Sequence, residues 1–246
     1  MKARWLVVLL AVFFVFSLAF AGDVGPANGK PDPSSRKLVK YTFIHYRKEP
    51  SKPEWAKGGG GKTDGEYKFI ANGFKWKTQE PFVVNPSNPS GLSASFVYSA
   101  TNAGFTEWEK YGGDIFGPLS VDYTAYYDDT TIDGLNTLSF GYYGDPRVIA
   151  VTSVWGYYST NPKWREIVEV DILFNVAYAW GNGTIDSTVM DLQNIATHEI
   201  GHDAGMDDLY TLTATEETMY GYSTEGEIKK RDLYKGDIAG IQKLYQ

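Results

Sequence analysis

The sequence predicts an α+β fold. Three observations carry that expectation: short alternating apolar runs, three stretches with helical spacing of apolar positions, and enough hydrophobic residues, 43% of 246, to fill a core. The chain has 18 Tyr and 7 Trp, and many of them fall in the alternating runs, as half-buried strands favour.

The elements can be justified in order. Residues 1–21 read "MKARWLVVLLAVFFVFSLAFA": a basic start at Lys2 and Arg4, an apolar run, and a small-x-small exit at Ala19-Phe20-Ala21. That is the pattern of a cleaved secretory signal, and it implies a secreted, extracellular protein. An uncleaved anchor is the rival reading, because the run is nearly long enough to span a bilayer. Residues 22–66 are rich in Gly, Pro, Lys and Ser and are expected to form an N-terminal extension or a pro-segment. Within them "LVKYTFIHY" alternates as one strand. It carries His45, which as a lone histidine reads as a structural or surface residue rather than a ligand.

Residues 67–246 are expected to form the main domain. "EPFVVNPSN" reads as a strand ended by Asn-Pro, and residues 91–112 as a helix closed by Gly112. "LSVDYTAYYDD", "NTLSFGYY", "RVIAVTSVWGYY" and "EIVEVDILFN" read as strands separated by turns such as Ile132-Asp133-Gly134. Residues 186–205 read as a second helix, with Asp186 or Ser187 as its cap and Gly205 at its end. "KGDIAGIQKLYQ" reads as a third.

Composition excludes several classes. A formal net charge of -7 disfavours nucleic acid, which needs phosphate-neutralising cations, and no basic run suggests an anionic membrane partner. With no cysteine, disulfides, thiolate catalysis and cysteine-based latency are ruled out.

The chemistry concentrates in "ATHEIGHDAGMDDLY", residues 196–210. On a helix, His198 and His202 stand one turn apart on one face and present two imidazoles to one point. Glu199 lies one position round, placed to act as a general base without ligating the metal. Gly205, three residues after His202, permits the left-handed backbone of a tight turn, and Asp208 follows three residues later. The acidic alternatives for a third ligand are Asp207 and a later glutamate, Glu216 or Glu217. The weak helical signals of "TLTATEETMYG" argue against the glutamates, and the spacing from Gly205 favours Asp208.

This HExxHxxGxxD string resembles the zinc motif of the metzincin metallopeptidases, most closely the matrixin-like group. "DLQNIATHEIGH", "TMYG" and "GDIAGIQKLY" are similar to the matrixin approach to the motif, the Met-turn and the last helix. The resemblance spans roughly residues 67–246. It implies a twisted, mostly parallel sheet with an active-site helix and a small C-terminal subdomain after Gly205. It implies Zn2+ held by His198, His202 and Asp208, Glu199 as general base, and Met219 in the Met-turn. It further implies protein or peptide substrates bound as a strand along "RVIAVTSVW", with residues 219–223 walling a pocket. The sequence departs from the animal enzymes in lacking the switch cysteine, the His-rich structural zinc site and a tyrosine two residues after Met219. Tyr220 and Tyr222 read as packing or pocket-wall residues. Once the signal is removed, no stable membrane association is expected.

Two other readings fit parts of the chain: an inactive zinc- or peptide-binding homologue, and a secreted surface or adhesion protein suggested by the tyrosine-rich strands. Asp128, Asp129 and Asp133, with Asn136, are oxygen ligands of the type Ca2+ takes. Their spacing is not that of an EF-hand, so the competing expectation is a solvated acidic turn.

Overall fold

A computed structural model describes residues 36–48 and 66–246; the signal segment and most of residues 22–66 lie outside the described residues. Among the described residues, seven strands form one sheet: β1 (Lys37–Arg47), β2 (Phe82–Val84), β3 (Leu119–Val121), β4 (Asn136–Gly141), β5 (Val148–Tyr158), β6 (Glu166–Asn175) and β9 (Tyr222–Ser223). A two-stranded ladder joins β7 (Trp180–Gly181) and β8 (Met190–Asp191). The helices are α1 (Ala94–Gly112), α2 (Leu192–Asp203) and α3 (Lys235–Tyr245).

The sheet order is β3-β2-β4-β6-β5-β1-β9. Neighbours pair in parallel from β3 through β6 and again between β1 and β9, so the sheet is mostly parallel. The two antiparallel pairs, β5 with β6 and β5 with β1, are the longest ladders. Strands β5 and β6 are buried along most of their length, as strands covered on both faces are.

Helix α1 starts where the Ser93 side chain accepts from the Phe96 amide, a cap worth about 0.5–2 kcal/mol. Its Trp108 is fully buried and donates from Nε1 to the Thr197 carbonyl at 2.7 Å, tying α1 to the middle of α2. Helix α2 is buried at every position except Gln193, so its stability comes from tertiary packing more than from an amphipathic stripe.

Two elements differ from the sequence expectation. The second helix does not begin near Asp186. Met190 and Asp191 pair with Trp180 and Gly181, and the Asp191 carboxylate caps α2 through the Asn194 amide. The strand expected over residues 119–129 stops at Val121, because Asp122 bends the chain by accepting from the Thr124 amide and hydroxyl. Among the described residues, no helix is long and apolar enough to cross a membrane.

Candidate metal centre

The local logic of α2 sets the two histidines. His198 donates from Nδ1 to the Thr218 carbonyl at 2.7 Å, and His202 donates from Nδ1 to the Met206 carbonyl at 2.9 Å. A carbonyl can only accept, so both Nδ1 atoms carry the proton and both Nε2 atoms present a lone pair. Burial also pulls the His202 pKa down, which favours the neutral imidazole that a metal needs.

Asp208 brings the third atom. Its Oδ1 lies 3.3 Å from His198 Nε2 and 3.6 Å from His202 Nε2. Four-coordinate zinc with N and O ligands at about 2.0–2.2 Å sets neighbouring donor atoms about 3.3–3.6 Å apart. The donor set therefore fits the ion in chemistry and in spacing. A second observation agrees: His198 Nε2 and Asp208 Oδ1 are buried and have no hydrogen-bond partner, an arrangement expensive enough to require a reason. Burial pushes the Asp208 carboxyl toward the neutral form, but the two imidazoles and the Tyr210 hydroxyl outweigh it and hold the pKa low. Tyr210 donates to Oδ2 at 2.9 Å, which leaves Oδ1 free to face the imidazoles.

The turn that delivers Asp208 depends on Gly205, whose φ is +93°. A Cβ there would lie 2.2 Å from the Phe74 carbonyl oxygen. Asp207 points elsewhere and pairs with Lys68 at 2.6 Å. Glu217 accepts from the Gly236 and Asp237 amides at the start of α3, and Glu216 pairs with Lys229, so neither joins the cluster. Met219 is fully buried under α2, and Gly201 makes room for it: a Cβ at 201 would meet its sulfur at 2.2 Å. The Asp237 carboxylate holds this turn by accepting from the Thr218 and Met219 amides.

Glu199 is fully buried, and burial raises its pKa to about 7. Thr152 on β5 donates to its Oε2 at 2.6 Å. His45 Nδ1 lies 3.0 Å from its Oε1. His45 Nε2 lies 3.3 Å from the Lys230 ammonium, which can only donate, so Nδ1 carries the proton and gives it to Glu199. Burial first, then the neighbouring His198 and Lys230, hold the His45 pKa low.

His45, expected as a structural or surface residue, lies at the centre, and so do Thr152, Tyr210 and Lys230, which the sequence does not mark. None belongs to a local motif. They meet the centre only through sheet register or a returning loop. The β5 edge expected to receive substrate is instead paired with β1 from Lys37↔Tyr158 to Tyr46↔Val148. Tyr222 belongs to β9 and pairs with Tyr46, while Tyr220 is buried against it, with ring centroids 5.7 Å apart.

The three aspartates weighed as calcium ligands are used separately. Asp128 accepts from the Thr130 and Thr131 hydroxyls, Asp129 pairs with Lys40 at 3.5 Å, and Asp133 accepts from the Leu135 amide. Asn136 is occupied with the Pro81 carbonyl and the Val170 amide. Their geometry is that of an acidic turn. Among the described residues, the groups able to hold a metal are His198-His202-Asp208 and His45-His198-Glu199.

The sheet, the buried helix with its two lone-pair imidazoles, the returning carboxylate and the methionine beneath them define a metzincin-like domain. Residues 156–246, from the end of β5 through α3, match the family model of the matrixins, so this stretch is similar to that family. A search of curated proteins finds no match.

Proposed function

We propose that the protein is a secreted zinc-dependent endopeptidase that hydrolyses peptide bonds in proteins or peptides. The observation that carries the reading is the convergence of His198 Nε2, His202 Nε2 and Asp208 Oδ1 at zinc spacing, with two of those atoms buried and otherwise unpartnered. The matrixin match supports a metallopeptidase chemistry, and the signal-like residues 1–21 support export.

His198, His202 and Asp208 would hold the ion, which supplies Lewis acidity: it polarises a carbonyl and brings the pKa of water toward about 7. Glu199 does the proton work. Burial holds its pKa near 7, so it can take a proton from the attacking water and return it to the leaving amine. Thr152 fixes one carboxylate oxygen and thereby aims the other. The Thr218 and Met206 carbonyls keep both imidazoles in the ligating tautomer.

The test is the Glu199→Ala variant, assayed both as the intact chain and after nicking between residues 49 and 65, with a chelator control. Zinc content should stay near that of wild type, and turnover of a peptide library should fall by about 10²–10⁴-fold. Near-wild-type hydrolysis by the variant would refute the mechanism.

A further inference from the structure

We propose that β1 is a built-in occupant of the substrate cleft, with His45 engaging the general base, so that the chain is latent until residues 37–47 leave. The inference rests on the peptidase reading above and concerns regulation of that same site.

One edge of β5 is committed to β6, and β1 covers the other for ten residues. At its end β1 also pairs with β9, through Tyr46↔Tyr222 and Arg47↔Ser223. It therefore lies between the strand that carries Thr152 and the segment that follows Met219. A peptide binding by strand addition needs those same backbone donors and acceptors and cannot share them.

β1 also turns a face of aromatic rings inward. Alternation places Tyr41, Phe43 and His45 on one side. Tyr41 meets Phe74 edge-on at 5.5 Å between ring centroids. Phe43 stacks on His202 at 4.0 Å, with the planes 14° apart, and His45 packs on His198 at 3.9 Å. Both motif imidazoles are thus covered by rings from one strand. His45 is 1% exposed and bonded to Glu199 Oε1, while Thr152 holds Oε2. A base with both oxygens engaged has none directed at water.

The rest of β1 is less deeply buried than its neighbours in the sheet. His45 is its one buried residue, against eight in β5 and eight in β6. Its other inward side chains, Val39, Tyr41 and Phe43, are only partly buried against the core, so the strand can peel away from the sheet's periphery without opening the core. The sequence between β1 and residue 66 contains Gly58–Gly61 flanked by Lys57 and Lys62, which offers a processing protease small residues beside a basic one.

The experiment replaces Gly58–Gly61 with the recognition sequence of a site-specific protease in the full chain, which is folded, loaded with zinc and then cut. Uncut and cut protein are compared at nanomolar concentration, where a released fragment does not rebind. Three readouts are taken: hydrolysis of a peptide library, affinity for a short peptide hydroxamate, and hydrogen exchange of the β5 amides. Cutting should raise turnover at least tenfold, tighten hydroxamate binding at least tenfold and deprotect the β5 amides. A synthetic peptide of residues 36–48 should reverse all three effects, and its His45→Ala form should need at least tenfold more peptide to do so. Equal hydroxamate affinity and equal β5 exchange before and after the cut would overturn the proposal, whatever the turnover. If the cut form gains hydroxamate affinity yet cleaves nothing, occupancy stands and the peptidase reading fails.

Discussion

The three histidines of this chain meet at one place but are held in opposite ways. His198 and His202 rest their Nδ1 atoms on backbone carbonyls, so their orientation is part of the fold itself. His45 is held through both nitrogens by side chains, Glu199 on one side and Lys230 on the other. The first pair sits on a helix buried almost all round, the third on a strand with one buried residue. A group that must keep its geometry is anchored to the main chain of a buried element. A group that only occupies a place can be anchored to side chains on a strand at the periphery.

That contrast predicts very different sensitivities. The largest effect is expected at Trp108, which supports the back of α2. Trp108→Ala should destabilise the fold by about 3–5 kcal/mol through the cavity and the unsatisfied Thr197 carbonyl, measured by denaturant unfolding. A loss under about 1 kcal/mol would mean that α2 does not depend on α1. Next comes Gly205→Ala. A side chain at φ +93°, with its Cβ 2.2 Å from the Phe74 oxygen, should lower stability by about 2–4 kcal/mol. Zinc content should fall with it, because the turn delivers Asp208.

A pH-dependent effect is expected on β6. Burial, then the charge of Glu169, raise the Asp171 carboxyl to about 8. The folded chain binds that proton more tightly than the unfolded chain does. The stabilising contribution is therefore complete below the unfolded value near 4 and is lost as pH climbs toward 8. Asp171→Asn can still accept from the Thr137 amide and should gain on wild type as pH rises from 5 to 8, by at most about 1.4 kcal/mol per unit. A difference that stays flat over that range would remove the assignment. The smallest effect is expected on β1. Val39 is only partly buried against the core, and Val39→Ala should cost about 1 kcal/mol or less. A loss of several kcal/mol would make β1 a core strand and abolish the contrast.

How far the sequence could be read follows the same division. The string from His198 to Asp208 was legible because each step is local: a helical turn between ligands, a glycine that must bend, a carboxylate three residues on. "EIVEVDILFN" maps onto β6 residue for residue, since a run rich in Ile, Val and Phe bounded by turns leaves little choice. The start of α2 was misplaced because Met190 and Asp191 are claimed by a ladder with Trp180 and Gly181, a tertiary contact that overrides helical spacing. His45 was illegible for a related reason. It lies 154 positions from Glu199, and only the register of β1 on β5 brings the two together.

The account turns on Asp208 as the third ligand, and metal content tests that most directly. Wild type, Asp207→Ala, Glu216→Ala and Asp208→Ala would be purified in parallel, dialysed against a weak chelator and assayed for zinc per chain. The geometry predicts about one zinc per chain in the first three and a sharp loss in Asp208→Ala, whose missing Oδ1 is the atom that both Nε2 lone pairs approach. An Asp208→Ala protein that retains one zinc as tightly as wild type would contradict the account.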